Sequence, residues 1–187
     1  MTTGKCKKIV YLPTTSVVSE QDANYNHAAA DYGPALARLA RGYEADPDKR
    51  RELLQEIHLA LWRSLAGYQA QCGLRTWTYR VAHNTAITWI THQRRTRPDT
   101  LLSLDDVAPI ADTPDPDRRL ALDRLTQLIQ RLKPLDRQVI LAWLEGLDAG
   151  AIGELTGLSS SNVATKIHRI KTLLTRQFHE GEQPHVA

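Results

Sequence analysis

The chain has 187 residues and a formal net charge of +3, a mild basicity that excludes a histone-like mode of nucleic-acid binding. Its two cysteines, Cys6 and Cys72, form no Cys-x-x-Cys pair, which argues against a disulfide scaffold or a zinc ribbon and predicts a reducing, cytoplasmic setting. No apolar run approaches the length of a membrane span, and Pro13 breaks the short apolar run that a signal peptide would need.

Catalysis is not expected, because the chain has no Gly-rich phosphate loop and no nucleophile motif. His83 and His92 stand nine residues apart, with no Glu or His paired to them at the spacing of a metal site. We therefore expect neither a metal nor a cofactor.

Apolar residues recur at three- and four-residue steps in the first half of the chain, which predicts three amphipathic helices. These helices run approximately over residues 22–43, 48–65 and 76–95. We expect Thr76 to cap the third helix and Val81, Thr85 and Thr88 to be among its inward residues. A stretch with four prolines and several aspartates follows, has no helical period, and is typical of a linker.

The second half predicts four more helices, in the approximate ranges 118–132, 134–145, 148–155 and from 160 onward. Leu122, Leu125, Ile129 and Leu132 share one face of the first of these. The fold class is therefore all-α, with two small helical domains and a flexible linker. The predicted organisation is an N-terminal arm (1–25), a first domain (26–97), an acidic Pro-rich linker (98–117), a second domain (118–179) and a tail (180–187).

The last two helices have the anatomy of a helix-turn-helix. Gly157 permits the left-handed turn between them, and Ser159 or Ser160 can cap the second helix. Between Ser159 and Phe178 there are four Lys or Arg and no carboxylate, whereas a merely solvated face usually mixes charges of both signs. This single-sign face favours entry into the major groove of DNA over a purely structural role.

Two segments resemble bacterial RNA polymerase sigma factors. The segment "LKPLDRQVILAWLEGLDAGAIGELTGLSSSNVATKIHRIKTLL" is similar to sigma region 4, and "RELLQEIHLALWRSLAGYQAQCGLRTWTYRVAHNTAITWITHQRR" is similar to sigma region 2. They occur in the family's order, and nothing corresponds to the domain that larger sigma factors place between them. This layout resembles the extracytoplasmic-function (ECF) group. The resemblance implies a transcription initiation factor that binds core RNA polymerase and promoter DNA.

The resemblance also implies a role for particular positions. Those that match the helix docking on the clamp of the largest polymerase subunit are Leu53, Leu54, Gln55, Glu56 and Trp62. Those that match the surface for the melted −10 element are Tyr68, Arg75, Thr76, Trp77, Tyr79, Arg80, His83, Asn84, Arg94 and Arg95. Those that match the reader of the −35 element are Ser161, Asn162, Thr165, Lys166, His168 and Arg169. The flap of the second-largest subunit is a further implied partner. Core packing remains an alternative for Leu53, Trp62 and Trp77.

One departure from the family pattern has a functional consequence. Lys49, Arg50 and Arg51 occupy positions where the family usually has an acidic run. A reversed charge at the docking helix would weaken binding to a basic clamp surface. This leaves open control by a Ser/Thr kinase or an anti-sigma factor, and it leaves open a sigma-like regulator or decoy that does not bind core polymerase on its own.

Overall fold

A computed structural model describes residues 19–70, 72–96 and 118–180 of the chain. These residues form seven helices and no strand, which confirms the all-α fold class. The helices are α1 (Glu20–Tyr43), α2 (Pro47–Leu65), α3 (Leu74–Thr96), α4 (Arg118–Arg131), α5 (Pro134–Leu144), α6 (Ala149–Thr156) and α7 (Ser160–Glu180). None of them combines the length and the apolar character needed to cross a membrane.

The first domain is a three-helix bundle in which α1, α2 and α3 each pack against the other two. Leu36 of α1 and Leu53, Ile57 and Leu61 of α2 belong to one core, which excludes water from all four side chains. Burying each such side chain contributes about 1.5–3 kcal/mol relative to leaving it exposed. The core therefore fixes which face of α2 points outward.

A short acidic cap starts α2. The Asp46 carboxylate accepts hydrogen bonds from the backbone N–H groups of Asp48 and Lys49, and Pro47 occupies the first helical turn. These bonds, that from Lys49 first, lower the pKa of Asp46. The helix thus begins one residue before its predicted start.

The third helix differs from the prediction in its start and in its inward face. It begins at Leu74, so Thr76 lies within its first turn and the prediction of Thr76 as the cap is wrong. Thr88 is exposed, while Val81 and Thr85 are only partly buried. The buried stripe consists instead of Thr78, Tyr79, Ala82, His83, Ala86 and Ile90.

Two polar side chains can join that stripe because each has a hydrogen-bond partner. The Thr78 hydroxyl donates to the backbone carbonyl of Leu74 at 2.8 Å. A 3.0 Å hydrogen bond joins His83 Nδ1 to the hydroxyl of Tyr43 on α1. The other ring nitrogen of His83, Nε2, is buried with no hydrogen-bond partner among the described residues, so these bonds offset only part of the cost of burying the two side chains. Hydropathy alone placed the inward face of α3 incorrectly, because it takes no account of such partners.

The second domain is organised around α7, which packs against α4, α5 and α6. Leu128 and Ile129 form the buried face of α4 together with Leu132, the residue just after the helix, and Leu125 is partly buried. Leu122, which the sequence places on the same face as Leu125, is 55% exposed. Asp148 caps α6, and its side chain accepts from the backbone N–H of Ala151.

The turn between α6 and α7 has the predicted geometry. Gly157 ends α6 with φ of 77°, in the left-handed region that favours glycine. Gly153 brings the two helices together, because a Cβ there would lie 2.7 Å from the backbone oxygen of Leu158. Val163, Ile170 and Leu174 are buried on the inner face of α7, and Ile167 is partly buried.

The two domains touch each other directly. Helix α1 contacts α4 and α5, and α3 contacts α5 and α6. Gly42 lies against Leu141, since a Cβ at Gly42 would come within 2.6 Å of a methyl carbon of Leu141. The Arg137 guanidinium lies 5.6 Å from the centroid of the Tyr43 ring. The two domains are thus in direct contact, which is called the closed arrangement below.

The predicted arm, linker and tail fall largely outside the described residues. Helix α1 begins at Glu20, within the range 1–25 that the sequence assigned to the arm. Residues 1–18 and 97–117 are outside the description, so the predicted flexibility of the arm and of the linker stays a prediction.

Candidate nucleic-acid interface

The face of α7 that the sequence singled out is open to solvent. Ser159 caps the helix, with its hydroxyl accepting from the backbone N–H of Asn162 at 3.3 Å. All six candidate positions lie in the first three turns of α7, and every one but Lys166 is exposed. A groove of about 610 Å³ runs along this face, lined by Asn162, Thr165, Lys166, His168, Arg169 and Arg176 together with Asp136, Leu158, Ile170, Thr172 and Leu173.

Lys166 differs from its neighbours on α7 because its ammonium group forms an ion pair with a carboxylate. Its ammonium group lies 2.5 Å from Asp136, whose side chain is only 4% exposed. Asp136 stands in the first turn of α5, where the helix dipole favours a negative charge. No described residue forms an ion pair with Arg169, so its guanidinium is available to a ligand. Sequence reasoning had found no signal for Asp136.

The loop before α3 is fixed against the first domain by two aromatic residues. The Tyr68 hydroxyl donates to the backbone carbonyl of Cys72 at 2.8 Å, and its ring lies 5.3 Å from that of Trp77. The Trp77 indole donates to Ser64 Oγ at 3.0 Å. Both rings are partly buried, so Trp77 packs within the first domain and still has some exposed surface that a DNA strand could contact.

Two candidates for strand binding face the second domain. Tyr79 is 2% exposed, and its hydroxyl donates to the Glu145 carboxylate at 3.4 Å. Burial first, and the Glu145 charge second, raise the pKa of Tyr79 to about 12. Arg75 is exposed, and its guanidinium donates to the Glu145 backbone carbonyl at 2.6 Å. The second domain therefore covers part of the predicted strand-binding surface.

His83 is in the core and cannot contact a DNA strand from this position. Its side chain is fully buried, and burial lowers its pKa to about 3, so the ring is neutral at physiological pH. The hydrogen bond to Tyr43 directs the ring inward in this arrangement, and the contact of His83 with DNA stays a prediction. Leu53 is likewise wholly buried, which favours the core-packing alternative over contact with polymerase.

The remaining strand-binding candidates are distributed along α3. Asn84 is exposed and lines a groove of about 440 Å³ that it shares with Glu56 of α2. Thr76 and Arg80 are partly buried. Arg94 and Arg95 belong to α3, but their side chains lie outside the described part of the structure.

The docking candidates on α2 are mostly at the surface. Gln55 and Glu56 are exposed, and Leu54 is partly buried. Trp62 is 40% exposed, and its indole donates to the Asp22 carboxylate at 2.8 Å, which is the main cause of a lowered pKa for Asp22. The start of α1 thus holds Trp62 in place, a contact between residues 40 positions apart that the sequence did not indicate.

The three basic residues that depart from the family pattern lie in the first turns of α2. Arg51 forms an ion pair with Asp48, and both side chains are largely exposed. Lys49 and Arg50 are partly buried. The carboxylates of Asp46 and Asp48 at the same helix end partly offset the local positive charge.

Comparison with known proteins agrees with this architecture. Residues 29–96 match the family model for Sigma-70 region 2, and residues 122–174 match the model for Sigma-70, region 4. The two matches fall on the first and the second domain respectively.

Related proteins and a solved structure support the same assignment. RNA polymerase sigma factor CarQ of Myxococcus xanthus is 31% identical over 136 residues, which cover 72% of this chain and 75% of CarQ. The ECF RNA polymerase sigma-E factor of Haemophilus influenzae is 26% identical, over 82% of this chain and 87% of its own length. The sigma factor RpoE of Bartonella quintana, solved with the anti-sigma factor NepR, shares the fold, with a TM-score of 0.65, 17% identity and coverage of 83% and 97%.

Sigma factors are non-enzymatic initiation factors that bind core RNA polymerase and promoter DNA. On the evidence of both family models and of these relatives, the chain belongs to the sigma-70 family, in its ECF group.

Proposed function

We propose that the two domains of this sigma factor divide promoter recognition between them, with α7 reading the −35 duplex and α2 and α3 binding the polymerase clamp and the opened −10 strand. The observation that carries this proposal is the exposed, single-sign face of α7, with Arg169 at its centre. A guanidinium in the major groove can donate two hydrogen bonds to a guanine. Thr165 and His168, on the same face, supply further contacts to base edges.

Clamp docking is assigned to the exposed part of α2. Gln55 and Glu56 stand on the outer face of a helix whose inner face is fixed by Ile57 and Leu61. A rigid helix that offers polar groups beside Trp62 suits a helical partner with basic rims. Because core polymerase is the partner, we expect the protein to act in the cytoplasm.

The basic start of α2 is assigned to regulation. Lys49 and Arg50 would face a basic clamp surface and weaken docking, so activation would come from a change that offsets their charge. Phosphorylation by a Ser/Thr kinase adds nearly two negative charges and is one such change. An anti-sigma factor, of the kind that binds the similar Bartonella quintana protein, is a second route of control.

The test is a pull-down of bacterial core RNA polymerase by the full-length protein, followed by run-off transcription on genomic fragments. We expect core binding and promoter-specific transcripts. The Gln55→Ala/Glu56→Ala variant should bind core at least about tenfold more weakly, as expected when charged interface contacts are lost. Glu154→Ala, which removes an exposed carboxylate from α6, is the control and should bind core normally.

Failure of the wild type to bind core would favour the alternative of a regulator or decoy that does not bind core by itself. A variant with Lys49, Arg50 and Arg51 changed to Asp then tests whether their positive charge causes the failure to bind core. A gain in core binding would assign the defect to their charge. No gain in that variant would contradict the proposed regulatory role of the three residues.

A further inference from the structure

Several contacts between the two domains meet at one residue of the second domain, Glu145. Glu145 receives two hydrogen bonds from Arg38 of α1, from Nε at 2.8 Å and from Nη2 at 2.7 Å. The Tyr79 hydroxyl reaches the same carboxylate, and Arg75 donates to the backbone carbonyl of Glu145. Groups from α1 and α3 of the first domain thus meet around one residue of the second.

Local helix physics disfavours a carboxylate at this position. Glu145 is the residue after the last turn of α5, where the free carbonyl groups carry the negative end of the helix dipole. Gly146 follows with φ of 77° and turns the chain away. The Glu145 side chain is only 13% exposed, so the Arg38 guanidinium compensates a negative charge that the local structure does not favour.

We propose that Arg38, Arg75 and Tyr79 form an anion site on the first domain, occupied by Glu145 in the closed arrangement and by a phosphate group of the opened DNA strand after the domains separate. The paired N–H groups of a guanidinium match the oxygens of a phosphate as they match those of a carboxylate. This inference rests on the proposed function, because Arg75 and Tyr79 are strand-binding candidates, and it adds Arg38.

The two occupants exclude each other, since both need the same N–H and O–H donors. The free protein therefore masks part of its own strand-binding surface. A partner that holds the domains apart uncovers the site, so strand binding is coupled to the separation of the domains.

A second ion pair across the same interface supplies a matched control. Arg41 of α1 pairs with Asp123 of α4, and Gln130 donates to the backbone carbonyl of Arg41. These contacts hold the domains together, but no contact of Asp123 or Gln130 to Arg38, Arg75 or Tyr79 is found in the described structure. Glu145→Gln and Asp123→Asn each remove one negative charge from the interface, and only the first removes the competing anion.

The experiment measures the binding of each full-length variant to a fluorescent, mixed-sequence single-stranded DNA oligonucleotide by anisotropy at low salt. We expect Glu145→Gln to bind about tenfold more tightly than the wild type, the effect of freeing one charge-assisted contact. Asp123→Asn should gain at most about twofold, because it changes the net charge equally but leaves Glu145 in place. Equal gains in the two variants would overturn the proposal.

A second pair of variants separates an anion site from a simple latch. Arg38→Ala/Glu145→Gln should lose most of the gain of Glu145→Gln, whereas Arg41→Ala/Glu145→Gln, with the same net charge, should keep it. If Arg38 only holds the domains together, the first double variant will bind the strand as tightly as Glu145→Gln, and the anion site is refuted.

Run-off transcription by the wild type is measured in parallel. A wild type that initiates, combined with a Glu145→Gln variant that gains no strand affinity, refutes the anion site alone. If neither the wild type nor the variant with Lys49, Arg50 and Arg51 reversed to Asp initiates, the proposed function is refuted, whatever the oligonucleotide result.

Discussion

The two candidate DNA surfaces of this protein differ in their accessibility. The face of α7 is exposed along its first three turns, and Arg169 points away from the second domain's core. The strand-binding surface around α3 is partly covered, with Tyr79 buried beneath Glu145. A reader of duplex DNA can thus be complete in the free protein, whereas the surface for a melted strand is completed only when the domains move apart.

The ion pairs that hold the two domains together are weak enough for the domains to separate. The Arg38 side chain is 62% exposed and Arg41 is 50% exposed, so solvent reaches the cation of each interdomain ion pair, although Glu145 itself is only 13% exposed. An exposed pair such as Arg41 with Asp123 contributes roughly 0–1 kcal/mol. A partner that binds the open form better by a few kcal/mol is therefore able to separate the domains.

Replacing Arg169 tests the open surface and should have the largest effect. Arg169→Ala should weaken binding to the cognate −35 duplex by about 1–3 kcal/mol, because a guanidinium bonded to a base is lost. Lys171→Ala removes the same charge from a side chain that lies 4.9 Å from the centroid of the Trp143 ring. Duplex titrations at fixed salt should show a clearly smaller loss for Lys171→Ala. Equal losses would mean that α7 binds DNA by charge alone.

The assignment of His83 to the core of the first domain is tested by pH. Its folded-state pKa of about 3 is below the unfolded value, so the unfolded chain binds more protons and stability falls as pH falls below about 6.5. Between pH 7.5 and 5 the loss should be about 2 kcal/mol. His83→Asn, which keeps a polar group near Tyr43, should abolish most of this dependence in urea unfolding.

His58, whose pKa burial also lowers, contributes with the same sign and is unchanged in the His83→Asn variant. His168→Asn, at an exposed position, is the control and should retain the wild-type slope. An unchanged slope in His83→Asn would show that His83 is accessible in solution, and would restore it as a strand-binding candidate.

The sequence predicted features that depend on near neighbours. The turn at Gly157 and a serine cap at Ser159 or Ser160 were predicted because each is fixed by residues within a few positions, and the cap is Ser159. The inward face of α3 was missed because His83 is buried through a partner 40 positions away, on α1. Glu145 gave no signal either, since its partner Arg38 lies 107 positions earlier in the chain.

Replacing Ser159, the cap of α7, should give a smaller effect. Its two substitutions should change stability and DNA affinity in different ways. Ser159→Ala should lower the free energy of unfolding by about 0.5–1 kcal/mol, because the backbone N–H of Asn162 loses its acceptor. Ser159→Asp should restore that stability, since a carboxylate caps the helix and favours its dipole. The same carboxylate repels DNA phosphates, so duplex affinity should fall below that of Ser159→Ala. Chemical unfolding should therefore show Ser159→Asp to be the more stable variant, whereas duplex titration should show Ser159→Ala to bind DNA more tightly. If Ser159→Asp is both more stable and at least as tight in binding, the start of α7 lies away from the DNA backbone.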